Sequence, residues 1–298
     1  MDSSLEIPGI ARLATGPGGL PRYEITTPLA QAHISLHGAH VTHFAPAGQR
    51  PVLFISAQSG FQAGKAIRGG VPVIFPWFGA RLGHPDAPAH GFARTRSWTA
   101  ESLVQQPGGE VVLTLRLEPD ETTRTLWGEP NDWALRHRVT IGAALTMELE
   151  IENRGAAPFR CEEALHTYFS VSEVGAIQVR GLEGAEYYDK ADGMRRKRQG
   201  SAPIEFTGET DRTYIHTAGK CSIDDPKWHR KIVIEKTNSD STVVWNPWIE
   251  KAQGMADFGD DEWHGMVCVE TGNVADNRLE ISPGARHITR TVVRCEPL

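Results

Sequence analysis

Leu145-Thr146-Met147-Glu148-Leu149-Glu150-Ile151 alternates apolar and polar side chains without a break. In an extended chain successive side chains point to opposite faces, so Leu145, Met147, Leu149 and Ile151 share one side and the two glutamates and Thr146 the other. The segment reads as a half-buried strand. The same period lies upstream, where Trp133, Leu135, Val139 and Ile141 alternate with Arg136, Arg138 and Thr140. Earlier still, Val111, Leu113, Leu115 and Leu117 alternate with Thr114 and Arg116. Further strand candidates run through 52–55, 176–180, 231–235, 242–245, 266–270 and 287–293. Helical spacing is confined to Ile249 to Ala256 and to 121–127, so the strand–helix alternation of a parallel sheet is missing. An all-β, antiparallel sandwich with a few short helices is expected. No fixed-period repeat and no Ser/Gly/Pro linker divides residues 1–298, which predicts one domain.

Hydrophobic residues make up 40% and charged residues 23% of the 298, which suits a globular chain with a sizeable core. A formal net charge of -6 argues against nucleic acid or an anionic membrane as partner, because either needs a basic footprint. An anionic substrate would therefore have to meet local positive charge. Met1 to Ile10 contains Asp2 and Glu6 and no apolar run, and no later stretch approaches membrane-spanning length, so a cytoplasmic location is expected. Cys161, Cys221, Cys268 and Cys295 are far apart, with no C-x-x-C pair, and read as reduced thiols. Cys268, between Val267 and Val269, suits a small buried hydrophobe.

The longest loop-like stretch, Ser56 to Arg94, holds Pro72, Pro76, Pro85 and Pro88 but also Ile67, Val73, Ile74, Phe75, Trp77, Phe78 and Phe92. It is too apolar for a disordered tail, and a long packed loop usually borders a site. Arg68 beside Gly69 and Gly70 pairs a guanidinium with backbone that a ligand can approach closely; His90-Gly91-Phe92-Ala93-Arg94 adds a histidine and a second arginine. His166 stands among apolar and aromatic neighbours, and Glu270 closes the run from Met266 to Val269. Taken singly, each has an ordinary structural reading: a core histidine, a strand-end carboxylate, a turn residue at Asp211, a surface ion-pair partner for each arginine. Trp245-Asn246-Pro247-Trp248 offers two flat faces suited to a pyranose, or to the core.

Three other motifs carry less. His33, His37, His40 and His43 invite a zinc reading, but on a strand His40 faces away from the others and no Cys or carboxylate joins them. Gly38 suggests a bulge there. Asp257-Phe258-Gly259 matches a kinase tripeptide without the accompanying loops. Arg195-Arg196-Lys197-Arg198, after Asp192-Gly193, reads as an exposed hairpin.

In chain order, I-R-G-G-V-P at 67–72, F-P-W-F-G at 75–79, H-G-F-A-R at 90–94, H-T-Y-F at 166–169, W-N-P-W at 245–248 and the segments at 257–273 resemble the aldose 1-epimerase superfamily, and within it the glucose-6-phosphate 1-epimerase branch. Ala89 and Trp77 stand where many relatives carry Gln. The resemblance implies a galactose-mutarotase-like β-supersandwich with no metal or cofactor; a monomer is expected. It implies that His166 is the general acid, Glu270 the general base, and Arg68, His90, Arg94 and Asp211 ligands of a small-molecule sugar phosphate. The expected reaction exchanges the α and β anomers of a hexose 6-phosphate, with free hexoses or non-catalytic sugar binding as alternatives. At ordinary pKa values, about 4.3 for Glu and ~6.5 for His, Glu270 would be ionised and His166 able to carry a proton at neutral pH.

Overall fold

The computed structural model describes residues 5–128 and 132–298; the amino-terminal reading therefore falls partly, at Met1 to Ser4, outside the described residues. Two eight-stranded antiparallel sheets dominate. One runs, edge to edge, through Thr99–Gln105, Val111–Leu117, Trp133–Ile141, Leu145–Asn153, Arg286–Pro297, Arg230–Thr237, Cys221–Asp225 and Gln178–Arg180. Leu145, Met147, Leu149 and Ile151 are fully buried on its inner face. Burying side chains of this size contributes roughly 1.5–3 kcal/mol each. The opposite face is a ladder of cross-strand ion pairs: Arg136 with Glu150 at 2.9 Å, Arg286 with Glu152 at 2.7 Å, Arg290 with Glu148 at 3.7 Å. Each exposed pair adds only about 0.2–1 kcal/mol, but together they keep the polar face outward and fix the register.

The second sheet runs Arg195–Arg198, Glu186–Asp189, Thr210–Ile215, Ser241–Asn246, Met266–Asn273, Glu163–Leu165 and Val73–Ile74; Tyr168–Ser170 also pairs with Met266–Asn273. Val267, Val269 and Val244 join the core shared with the first sheet. A four-stranded meander from Ala11–Thr15 to His40–Pro46 and a short pair, Phe159–Cys161 with Leu279–Ile281, complete the strands.

Helix Glu121–Trp127 matches its predicted span. Asp120 accepts from Thr123 N at 2.7 Å and Gly128 ends the helix in the left-handed region. Its Trp127 anchors a cluster with Phe75, Trp133 and Phe159. The second helix spans Trp248–Gln253, shorter than expected because the chain turns at Gly254. Segment 52–55 is not a strand but two isolated bridges, Leu53 to Phe169 and Ile55 to Gly69. The register shift near the histidines falls between His33 and Ile34, while Gly38 lies in the turn before His40–Pro46. Among the described residues no helix is long and apolar enough to cross a membrane.

Candidate active site

Met266–Asn273 is buried along its whole length and, by strand alternation, turns Cys268 and Glu270 to one face. Glu163–Leu165 and Tyr168–Ser170 both pair with it, so the connection between them, which carries His166, is held against Glu270. His166 N donates to Pro72 O at 3.0 Å, tying this connection to the long loop. His166 Nε2 then lies 3.3 Å from Glu270 Oε1. Its ring stacks on Tyr168 at 4.9 Å and meets Trp245 edge-on at 6.3 Å.

The long segment does border the site. His90, with φ 62°, donates from N to Gly79 O at 2.7 Å, and its Nδ1 accepts from Gly79 N at 3.3 Å. In the neutral ring that leaves the proton on Nε2. The imidazole stands 5.4 Å from the His166 ring. Gly91 must be glycine: at φ 70° a Cβ would lie 2.0 Å from Phe75 O. Arg68 donates to Asp257 from Nε at 3.2 Å and to Tyr168 OH from Nη1 at 3.0 Å. Asp211, opposite, lies 3.6 Å from Lys190 Nζ and 3.8 Å from Lys251 Nζ.

His166, Glu270, Arg68, His90 and Asp211 thus line one cavity of about 350 Å³, with Ala89 and Trp245 in its wall. Arg94 is set back from it: Nη2 donates to Ala89 O at 2.8 Å and Nε is buried without a partner. A larger groove of about 740 Å³ lies elsewhere, but its charged walls are closed by the Arg96–Asp120 and Arg116–Glu118 pairs.

Burial corrects the ordinary pKa values. Loss of water, with His90, Arg94 and Arg68 nearby, pushes His166 well below the usual histidine range. Loss of water and the Asp211 charge push Glu270 well above the usual carboxylate range, against Lys190 and Arg94. Alone, each group favours its neutral form. Burial thus favours the proton on Glu270 over the proton on His166, and His166 Nδ1 and Glu270 Oε2 are buried with no partner of their own. Burial, followed by Arg94 and Lys190, also holds His90 neutral, and burial lowers Arg94 to about 10.

His166, Cys268 and Glu270 offer three ligand atoms within 4.8 Å of one another, a donor set zinc accepts. The two guanidiniums oppose a cation there, and burial holds the Cys268 thiol well above its ordinary pKa. The four amino-terminal histidines do not converge: His37 bonds Lys65 O, His40 bonds Gly69 O, and only the His33 and His43 rings are neighbours, at 5.0 Å.

Several contributors escaped the sequence reading. Asp257, set aside with its kinase-like tripeptide, fixes Arg68. Glu162 accepts from Phe78 N at 2.9 Å and Ala275 N at 2.8 Å, clamping two site loops. Lys190 and Lys251 carried no motif. Of the two tryptophans proposed as a platform, Trp245 lines the cavity, whereas Trp248 packs on Trp263 at 4.3 Å. Trp77 is buried, its indole donating to Pro88 O at 2.9 Å. Arg195 to Arg198 form the edge strand of a hairpin with Glu186–Asp189, and each pairs with an acidic neighbour.

Comparison with known proteins bears on the family and the fold. The aldose 1-epimerase family profile matches residues 21–294. A protein of Cenchrus ciliaris provisionally named glucose-6-phosphate 1-epimerase is 34% identical over 89% of this chain and 82% of its own length. One of Escherichia coli K12 with the same provisional name is 34% identical over 89% of this chain and 87% of its own. A crystal structure from Salmonella typhimurium, provisionally described as a mutarotase, superposes with a TM-score of 0.88 at 30% identity, covering 99% of this chain and 97% of the other. The β-supersandwich with its buried His–Glu pair, and these relatives over nearly the full length, lead to one conclusion: the chain belongs to the aldose 1-epimerase family.

Proposed function

We propose that the chain interconverts the α and β anomers of a hexose 6-phosphate, D-glucose 6-phosphate foremost, with His166 and Glu270 as the proton carriers. The observation that carries this reading is the 3.3 Å contact between a buried imidazole and a buried carboxylate at the floor of a sugar-sized cavity. Binding alone needs no such pair. Glu270 takes the proton of the C1 hydroxyl, the electrons of that bond form the C1 carbonyl, and the C1–O5 bond breaks as O5 takes the proton of His166. Rotation about C1–C2 and the same transfers in reverse close the other anomer. The pair needs one proton on the histidine side to begin.

Asp211 and His90 hold ring hydroxyls in this proposal, His90 as a donor from Nε2. Arg68 and Arg94 supply positive charge toward a phosphate that carries roughly -1.5 to -2 at pH 7. The phosphate preference is supported by the provisional names of the relatives and by these cations. The test is two-dimensional NMR exchange between anomeric protons of glucose 6-phosphate, with glucose and galactose in parallel. Selective acceleration of the phosphate sugar is expected; equal acceleration of all three would overturn the phosphate assignment and keep the anomerase one.

A further inference from the structure

Resting on that sugar-phosphate reading, the cavity's cations can be told apart by what already occupies them. Arg68 spends three donor contacts on Asp257 and Tyr168. Arg94 is set back and turned to Ala89 O. Lys251 is held by Glu209 at 2.6 Å. Lys190 differs: among the described residues its Nζ makes no hydrogen bond. It sits 3.6 Å from Asp211 Oδ1, beyond hydrogen-bond reach, and 4.4 Å above the Phe78 ring.

The stem of Lys190 is nonetheless well placed. It opens the short 3-10 turn Lys190–Asp192 directly after the strand Glu186–Asp189. Lys197 staples that turn, reaching Asp189 at 2.8 Å and Asp192 at 2.6 Å. The backbone is therefore fixed while the ammonium, on four rotatable carbons, is held only by the long Asp211 contact and the Phe78 ring face. Phe78, on which it rests, is itself clamped by Glu162.

We propose that Lys190 is a specificity residue of this cavity, leaving Phe78 and Asp211 to make a direct charge-assisted contact with the 6-phosphate and completing the grip of the arginines. A phosphate dianion attracts the ammonium more strongly than a ring face or a long carboxylate contact does.

The test uses the full chain with Lys190→Met and Lys190→Arg, read by NMR anomer exchange on glucose 6-phosphate and on glucose, with inorganic phosphate as competitive inhibitor. In Lys190→Met, KM for glucose 6-phosphate and the inhibition constant for phosphate should each rise about tenfold to a hundredfold, and kcat/KM should fall further on glucose 6-phosphate than on glucose by that same factor. Lys190→Arg should recover most of the discrimination. An equal loss on glucose and its phosphate overturns the proposal, because Lys190 would then serve Asp211 or Glu270 instead. Unchanged KM and inhibition constants overturn it too, leaving the phosphate to the arginines. Wild-type protein showing no preference for the phosphate sugar is separately visible and removes the underlying reading along with this one.

Discussion

Replacing Glu270 by Gln keeps the size of the side chain beside His166 and removes its capacity to accept a proton. Positioned proton transfer is typically worth roughly 10²–10⁴ in rate, so Glu270→Gln and His166→Asn should each lower kcat by that order. The double variant should be little worse than the poorer single one, because the two act as a unit. Anomer exchange by NMR measures this, and full activity in either variant would remove that residue from the mechanism. Stability should hold in Glu270→Gln, since burial already disfavours the carboxylate. The pH profile follows from the same displacement. With Glu270 raised and His166 lowered, the second proton binds only as pH falls below the ordinary histidine range, and the first leaves only as pH rises above the ordinary carboxylate range. The acid limb of kcat/KM is therefore expected below the ordinary histidine value of about 6.5; an acid limb centred at that value would contradict it. The proposed roles were legible only through the ordered motifs, because nothing local marks His166 as facing Glu270. Lys190 was not legible at all: its meaning lies in the hydrogen bonds its neighbours have already made.

Strand Met266–Asn273 depends on close contact with Glu163–Leu165. A Cβ on Gly272 would lie 2.4 Å from Glu163 O and 2.7 Å from the Ala164 side chain, so the two strands could stay paired only by moving apart. Gly272→Ala should therefore cost about 1–3 kcal/mol in a urea titration and lower activity as well, because Glu270 lies two residues before it and His166 two after Ala164. Wild-type stability and turnover together would show that the strands have slack. At this scale the sequence reads well where one face is buried and the other wet, as in Leu145–Asn153. It reads poorly at 52–55, where apolar residues pack as isolated bridges rather than as a ladder. The long segment was recognisable by its apolar content. Its internal pairing, Val73–Ile74 on Glu163–Leu165, was not, since two residues are too few for a period.

Stability as a function of pH belongs to the whole molecule. Burial lowers His40 to about 3 and His137 to about 4, from an ordinary 6.5. Below pH 6.5 the unfolded chain takes up protons that these folded histidines refuse, so their contribution is full above 6.5 and lost as pH falls toward 4. Burial raises Glu163 to about 7 from 4.5, and its contribution runs the other way, lost as pH rises through that range. Glu270 sides with Glu163, while His166 and His90 side with His40 and His137, so the histidines prevail. The unfolding free energy should fall between pH 6.5 and 4.5 by about 1.4 kcal/mol per pH unit for each net proton, and the melting temperature with it; higher stability at pH 5 than at 7 would contradict neutral burial of these rings. The sandwich class was readable from alternation, but not the order of its strands, because non-local pairing leaves no local trace. Arg286–Pro297, last of the strands in the chain, lies between Leu145–Asn153 and Arg230–Thr237. A ribosome delivers that strand after both of its neighbours, so the nascent sheet must wait with two open edges until its centre arrives. Synthesis and completion of the fold are thereby separated in time, and a premature stop before Arg286 yields not a smaller enzyme but two adhesive half-sheets.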